Sequence, residues 1–305
     1  MTPELESIER AAAFLSSCTG ADGRRSLPLR SRLQALFGSW VATRAGVSPA
    51  VSRLDAQAAL TRDALAFESE RGAFDPYAHD AKLLLLCLIA MRDCGYESEP
   101  LRAFCREVVG ATRTMSVIPP RLAGVVLLLG RMGEKPTRRG ARIDTEVHLP
   151  AGSLLRADAA TVRDVCNGVA GSTLFGSRRL AAEDTASLVS TLPVILLEKL
   201  RQYDLTLGST VLRTLKYVRA RAKEEVAYAT EYLLSQQKQN GRFGYYAREL
   251  AEGDGLEDAD LDLYLPVTVS VLWSLVEVLI PSFRLVEQRS RRPEPGPVGL
   301  VRNTP

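Results

Sequence analysis

Lysine, histidine, tryptophan and long apolar runs are what this 305-residue chain has least of. Only six of its 39 basic residues are lysines (Lys82, Lys135, Lys199, Lys216, Lys223 and Lys238), so almost all positive charge is arginine. The net charge of +3 is small and spread along the chain, unlike the concentrated basic face of a nucleic-acid binder. The longest apolar runs, Leu83 to Met91 and Ala123 to Leu129, fall well short of the roughly 20 residues that a membrane span needs. The opening Met1-Thr-Pro-Glu-Leu-Glu-Ser lacks the basic start and apolar run of a signal peptide. Five cysteines (Cys18, Cys87, Cys94, Cys105, Cys166) contain no CxxC pair and read as reduced, mostly buried thiols. These absences predict a cytoplasmic protein with neither nucleic acid nor membrane as partner. The Ala-, Leu- and Arg-rich usage resembles a GC-rich bacterial coding bias.

What is present is helical periodicity. Pro3 to Ser17 carries Leu5, Ile8, Ala12 and Leu15 on one stripe, with Pro3 and Glu4 suited to a helix start. Further helices are predicted over 27–45, 53–69, 79–93, 97–112, 119–132, 159–170, 184–203, 207–220, 222–238 and 263–280. The only segment alternating in period two, Arg142 to Leu149, is short enough to make at most a ribbon. Residues 80–92, 121–130, 188–200 and 266–280 are apolar nearly all round, whereas 97–110 and 222–238 are amphipathic. A helix apolar on every side has neighbours on every side. Alternation of the two kinds predicts an all-α fold in which an outer ring wraps an inner one, or a helical-pair solenoid. The domain is expected to span 1–286. From Glu287 the chain is rich in Pro and Arg and reads as a disordered tail over 287–305.

Two segments about 170 residues apart resemble each other. Ala64 to Tyr77 and Glu231 to Tyr246 both end a helix, turn at a glycine (Gly72, Gly241), read G-x-F-x-x-Y and lead into an apolar helix. A helix C-terminus commonly closes at positive φ, which Gly adopts without a Cβ clash. The second segment, Leu233-Leu-Ser-Gln-Gln-x-x-Asn-Gly-Arg-Phe-Gly244, resembles the repeat of the terpenoid cyclase and protein prenyltransferase toroids. In those a helix ends in Leu-Leu-x-x-Gln before an Asp/Asn-Gly-x-Phe-Gly turn. The resemblance covers about fifteen residues and implies a single α/α-toroid. It leaves activity open, because one fold hosts many chemistries.

The prenyltransferases' zinc histidine would fall in Asp260 to Thr268, which contains none; the chain's two histidines are His79 and His148. The Cys-His-Gly zinc motif of lanthipeptide cyclases, also toroids, is missing, so no metal or other cofactor is expected. The acid motif of class II terpene cyclases is Asp-x-Asp-Asp, whereas Asp258-Ala-Asp260-Leu-Asp262 is spaced differently, and aromatics are only 6% of the chain. The candidate site is therefore built from other residues. His79 and Asp80 start an inner helix after the first glycine turn, where they suit general acid–base work; the alternative is that Asp80 caps the helix and His79 is an exposed neighbour. Lys82, Tyr77, Tyr245 and Tyr246 are candidates for lining the mouth. Asp258, Asp260 and Asp262 form either an acidic lip or a solvated loop before the next helix. Arg131, Lys135, Arg138, Arg139 and Arg142 make a basic loop that could grip phosphate or an acidic peptide. Three readings result. The chain is a metal-independent peptide-tailoring enzyme or subunit of specialised metabolism, similar to a lanthipeptide cyclase and binding a peptide or small molecule. Alternatively it is a scaffold for a partner enzyme or leader peptide, or a terpenoid-cyclase relative.

Overall fold

The computed structural model describes residues 2–18, 27–47, 51–137, 142–143, 151–180, 182–244 and 261–286. The fold is all-α. In chain order the helices are α1 (Pro3–Ser17), α2 (Leu29–Arg44), α3 (Val51–Glu70), α4 (Ala81–Asp93), α5 (Glu99–Arg113) and α6 (Pro120–Arg131). They continue as α7 (Ala151–Leu154), α8 (Ala159–Ser172), α9 (Ala182–Arg201), α10 (Leu205–Tyr217), α11 (Lys223–Ser235) and α12 (Leu261–Leu279). Two short strands, β1 (Val117–Ile118) and β2 (Arg142–Ile143), pair in parallel. β2 falls at the start of the segment expected to alternate, whereas its partner β1 was not expected; 144–149 lie outside the described residues, as does the tail from Glu287.

Local chemistry sets the helix starts. Proline opens α1, α5 and α6, where its missing N–H has no intrahelical partner to lose. Asp80, Asp158 and Asp204 cap α4, α8 and α10, each accepting a first-turn N–H at 2.7, 2.7 and 3.0 Å. Carboxylates there also meet the positive end of the helix dipole.

Packing sorts the helices by parity. α2 packs on α4, α4 on α6, α6 on α8, α8 on α10, α10 on α12, and α12 returns to α2. Most odd-numbered helices lie against this cycle: α1 on α2 and α12, α3 on α2 and α4, α5 on α4 and α6, α9 and α11 on α10; the short α7 packs on α9 instead. The apolar spacing explains which helices go inside. α10 and α12 bury nearly every described side chain, whereas α5 buries one stripe (Leu101, Phe104, Cys105, Val109) and turns its charges to water. One expectation fails. Residues 188–200 are apolar all round, yet they belong to α9, where Val194 stays 52% exposed and Leu197 36%. Apolarity alone did not distinguish an enclosed helix from one with an uncovered apolar strip. None of the five cysteines forms a disulfide among the described residues; Cys94 is half-buried and the others are buried.

The second glycine turn ties the end of α11 to α1. Gln237 accepts from Ser7 Oγ (2.7 Å) and Arg10 Nη2 (2.8 Å), and its amide donates to Ser7 O (2.8 Å). Gly241 has φ +91°, and a Cβ there would lie 2.1 Å from the Arg10 carbonyl oxygen. Phe243 is fully buried, and its N–H donates to Thr268 Oγ1 on α12.

Candidate functional site

Four helices of the inner cycle turn a face of spacing i, i+3, i+4, i+7, or part of one, toward a common cavity of about 380 Å³. α8 supplies Arg163, Cys166, Asn167 and Ala170; α10 supplies Thr210, Arg213, Thr214 and Tyr217; α12 supplies Pro266, Val269, Ser270 and Trp273; α2 supplies Arg30, Gln34 and Phe37. Asp80 and Lys82 enter from the start of α4. The volume is within the range of small-molecule sites. Its aromatic floor is formed by Phe37, edge-on to Trp273 at 5.2 Å between centroids, and Phe175, 6.1 Å from Trp273. Phe175 holds left-handed φ of +52° just after α8, a conformation costing about 1 kcal/mol or more for a non-glycine residue.

The cavity is graded in charge. Arg30, Arg163 and the Asp80 cap are exposed at its rim, and Lys82 is half-buried. Arg213 is only 7% exposed. Its guanidinium donates to Ser270 O (3.0 Å) and to Thr210 Oγ1 (3.2 Å), and it lies 3.9 Å from the Trp273 ring centroid. These partners are all neutral; among the described residues no carboxylate lies within ion-pair distance of it. Burial lowers the Arg213 pKa, offset in part by Tyr217, Glu277 and Cys166. Lys82 Nζ donates to Asn167 Oδ1. Burial lowers the Lys82 pKa; Asp80 opposes the shift and the nearby Arg213 charge adds to it. The Cys166 thiol moves the other way, up to about 11, because burial disfavours thiolate.

Beneath Arg213 lies a second buried polar group. Glu277, 1% exposed, accepts from Tyr217 Oη at 3.0 Å and Trp273 Nε1 at 3.3 Å, and its other oxygen sits 3.4 Å from Lys216 Nζ. Burial raises the Glu277 pKa, with Lys216 the chief opposing influence. The C-terminal ends of α2, α4 and α6 border another cavity, of about 270 Å³, where Arg44, Arg92 and Arg131 gather around Trp40 and Asp93. Cations there are expected, because helix C-termini carry partial negative charge. At the N-terminal ends the same reasoning disfavours Arg30 and Lys82.

The structure separates the residues singled out from sequence. Asp80 and Lys82 reach the cavity, and Asp80 also caps α4. His79 does not line it; its ring stacks on Phe74 at 6.0 Å, and burial lowers its pKa. Tyr77, 68% exposed, packs edge-on against Phe104 of α5. Tyr245, Tyr246, Asp258 and Asp260 lie outside the described residues, and Asp262 is described only as backbone of α12. Of the basic loop, Arg131 borders the opposite cavity and the Lys135 carbonyl accepts from Arg113 Nε; Arg138 and Arg139 lie outside the described residues, and Arg142 is described only as strand backbone. Arg30, Arg163, Asn167, Arg213 and Glu277 were missed. The available signal was a charge inside an apolar run, as in Val211-Leu-Arg-Thr-Leu215 and Ser274-Leu-Val-Glu-Val-Leu279.

Comparisons with protein-family models, with curated proteins and with solved structures find no match. Among the described residues, no group of three or more His, Cys, Asp or Glu is placed to hold a metal ion. Among the same residues, no helix is long and apolar enough to cross a membrane.

Proposed function

We propose that residues 1–286 form one α/α-toroid with the even-numbered helices as its inner ring, and that the larger cavity, lined by α2, α4, α8, α10 and α12, binds a small anionic ligand. The closed cycle of helix contacts supports the toroid reading, as does the lining of the two cavities by opposite ends of α2 and α4. The Gln237–Phe243 turn adds to it, since each of its distinctive residues has a packing role at the junction of α1, α11 and α12.

The anion reading rests on one observation: Arg213 is a buried guanidinium whose hydrogen-bond partners are neutral, with the Glu277 carboxyl nearby but beyond ion-pair distance. A buried charge is costly unless it is paired. Lys82, Arg30 and Arg163 add positive charge to the lining. The aromatic floor suits a flat apolar body attached to the acidic group. About 380 Å³ admits a small metabolite or the acidic end of a peptide. Metal-independent peptide tailoring of the lanthipeptide-cyclase kind, as an enzyme or a subunit of one, is the class of activity we favour.

Terpene cyclisation is less well supported, because the Trp273 face that would stabilise a carbocation already carries Arg213. A scaffold role has its own observation: Val194, Leu197, Tyr203 and Tyr228 leave an apolar strip exposed along α9 and α11. Calorimetric titration of the full chain with 3-phenyllactate and with inorganic phosphate tests the main reading. Salt-sensitive binding, weakened about tenfold or more by Arg213→Met, supports it. Absence of binding by either probe, or equal affinity in the variant, overturns it.

A further inference from the structure

Arginine serves nearly every cationic role in this chain, yet the cation nearest the start of α4 in the cavity is a lysine. The distinction is chemical. An arginine holds its proton at any ordinary pH, whereas a lysine can present a neutral, nucleophilic amine when burial and a neighbouring cation disfavour the ammonium. Lys82 is desolvated within the cavity, which is the dominant influence, and the Arg213 charge adds to it while the Asp80 carboxylate opposes it. Asn167 Oδ1, one turn from Arg163 on α8, accepts from Nζ and directs it. Cys166 is the other nucleophile on the wall, and its burial keeps it a thiol. The same desolvation therefore favours the amine over the sulfur.

We infer that Lys82 forms an imine with a small carbonyl compound bearing an acidic group, a 2-oxo acid being the class that fits the cavity. This inference rests on the anion-binding reading given above. The arginines hold the carboxylate, and the adjacent carbonyl carbon comes to Nζ. In the first step the neutral amine attacks, the N–C bond forms, and the carbonyl electron pair goes to oxygen, which takes a proton released by nitrogen. In the second step the C–O bond breaks and oxygen leaves as water with the other N–H proton. Amine and carbonyl thus give imine and water with no oxidant or reductant. The imine nitrogen, once protonated, withdraws electrons from the neighbouring carbon.

The test uses the full chain incubated with phenylpyruvate and sodium cyanoborohydride, then digested for peptide mass analysis. A parallel titration uses 3-phenyllactate, which has the same skeleton and carboxylate but no carbonyl. The expected result is a reduced adduct on Lys82 at about tenfold or higher occupancy than on any other lysine, suppressed by excess 3-phenyllactate and missing at position 82 in Lys82→Arg. If 3-phenyllactate binds but Lys82 carries no preferential adduct, the imine is overturned and the anion site stands. If 3-phenyllactate does not bind and adducts are spread evenly over the lysines, both readings fall.

Discussion

The Arg213 guanidinium rests 3.9 Å above the Trp273 indole, and Trp273 Nε1 in turn donates to the buried Glu277 carboxyl. A cation and an acid thus share one aromatic ring, on the floor of a cavity that also carries Arg30, Arg163 and Lys82. Such an arrangement favours ligand binding at the expense of stability. Replacing a buried charge with a packed apolar side chain is often neutral or stabilising by about 1–4 kcal/mol. Arg213→Met is therefore expected to keep or raise the melting temperature while lowering 3-phenyllactate affinity about tenfold or more. Thermal unfolding and calorimetry on the same sample check both halves. A variant that is less stable yet binds normally would assign Arg213 a purely structural role.

Glu277 makes a pH prediction whose sign follows from its environment. Burial raises its folded-state pKa above the ordinary carboxylate value. The folded protein then retains a proton that the unfolded chain releases above about pH 4.3. Its contribution is fully present below that pH and is lost as pH rises through the folded pKa. Gln at 277 cannot ionise. The melting temperature of Glu277→Gln minus that of the native protein should therefore grow more positive from about pH 4 to about pH 7. A constant difference across that range would mean that the carboxyl is as well accommodated folded as unfolded.

The helices were legible because their signals are local. Periodicity placed a helix over 207–220, found at Leu205–Tyr217, and one over 97–112, found at Glu99–Arg113. The site was legible only where it begins a helix. Asp80 and Lys82 could be found because a capping aspartate marks the entrance of α4. Arg213 and Arg163 could not be assembled with them, since 131 residues separate Lys82 from Arg213 and nothing local reports which helix faces meet. The exposure of Val194 was hidden for the same reason. Whether an apolar side is covered depends on a neighbour distant in sequence.

His79 and Lys82 lie on either side of the Asp80 cap but face different surroundings. His79→Ala is expected to leave 3-phenyllactate affinity within about twofold, because its ring lies against Phe74 and outside the cavity. Its folded pKa is lowered by burial, so its contribution to stability is present above about pH 6.5 and lost as pH falls through the folded value. The melting-temperature gap between native protein and variant should narrow on acidification. A large loss of affinity would instead return His79 to the binding machinery.

The two glycine turns look alike in sequence, and substitution should tell them apart. Gly72 has φ +66°, and a Cβ there would meet nothing within 4 Å. Gly72→Ala therefore incurs only the left-handed penalty, about 1–2 kcal/mol. Gly241 has φ +91°, and its Cβ would sit 2.1 Å from Arg10 O and 2.5 Å from the Arg10 carbonyl carbon. Those are backbone atoms of α1, so no side-chain rotation relieves the clash. Either the turn or α1 must move, and the Gln237 bonds to Ser7 and Arg10 loosen with it. Gly241→Ala should then cost about 3 kcal/mol or more, the sum of backbone strain and overpacking. Chemical unfolding of both variants measures the gap. Equal losses would mean that α1 does not depend on this turn for its seat against α12.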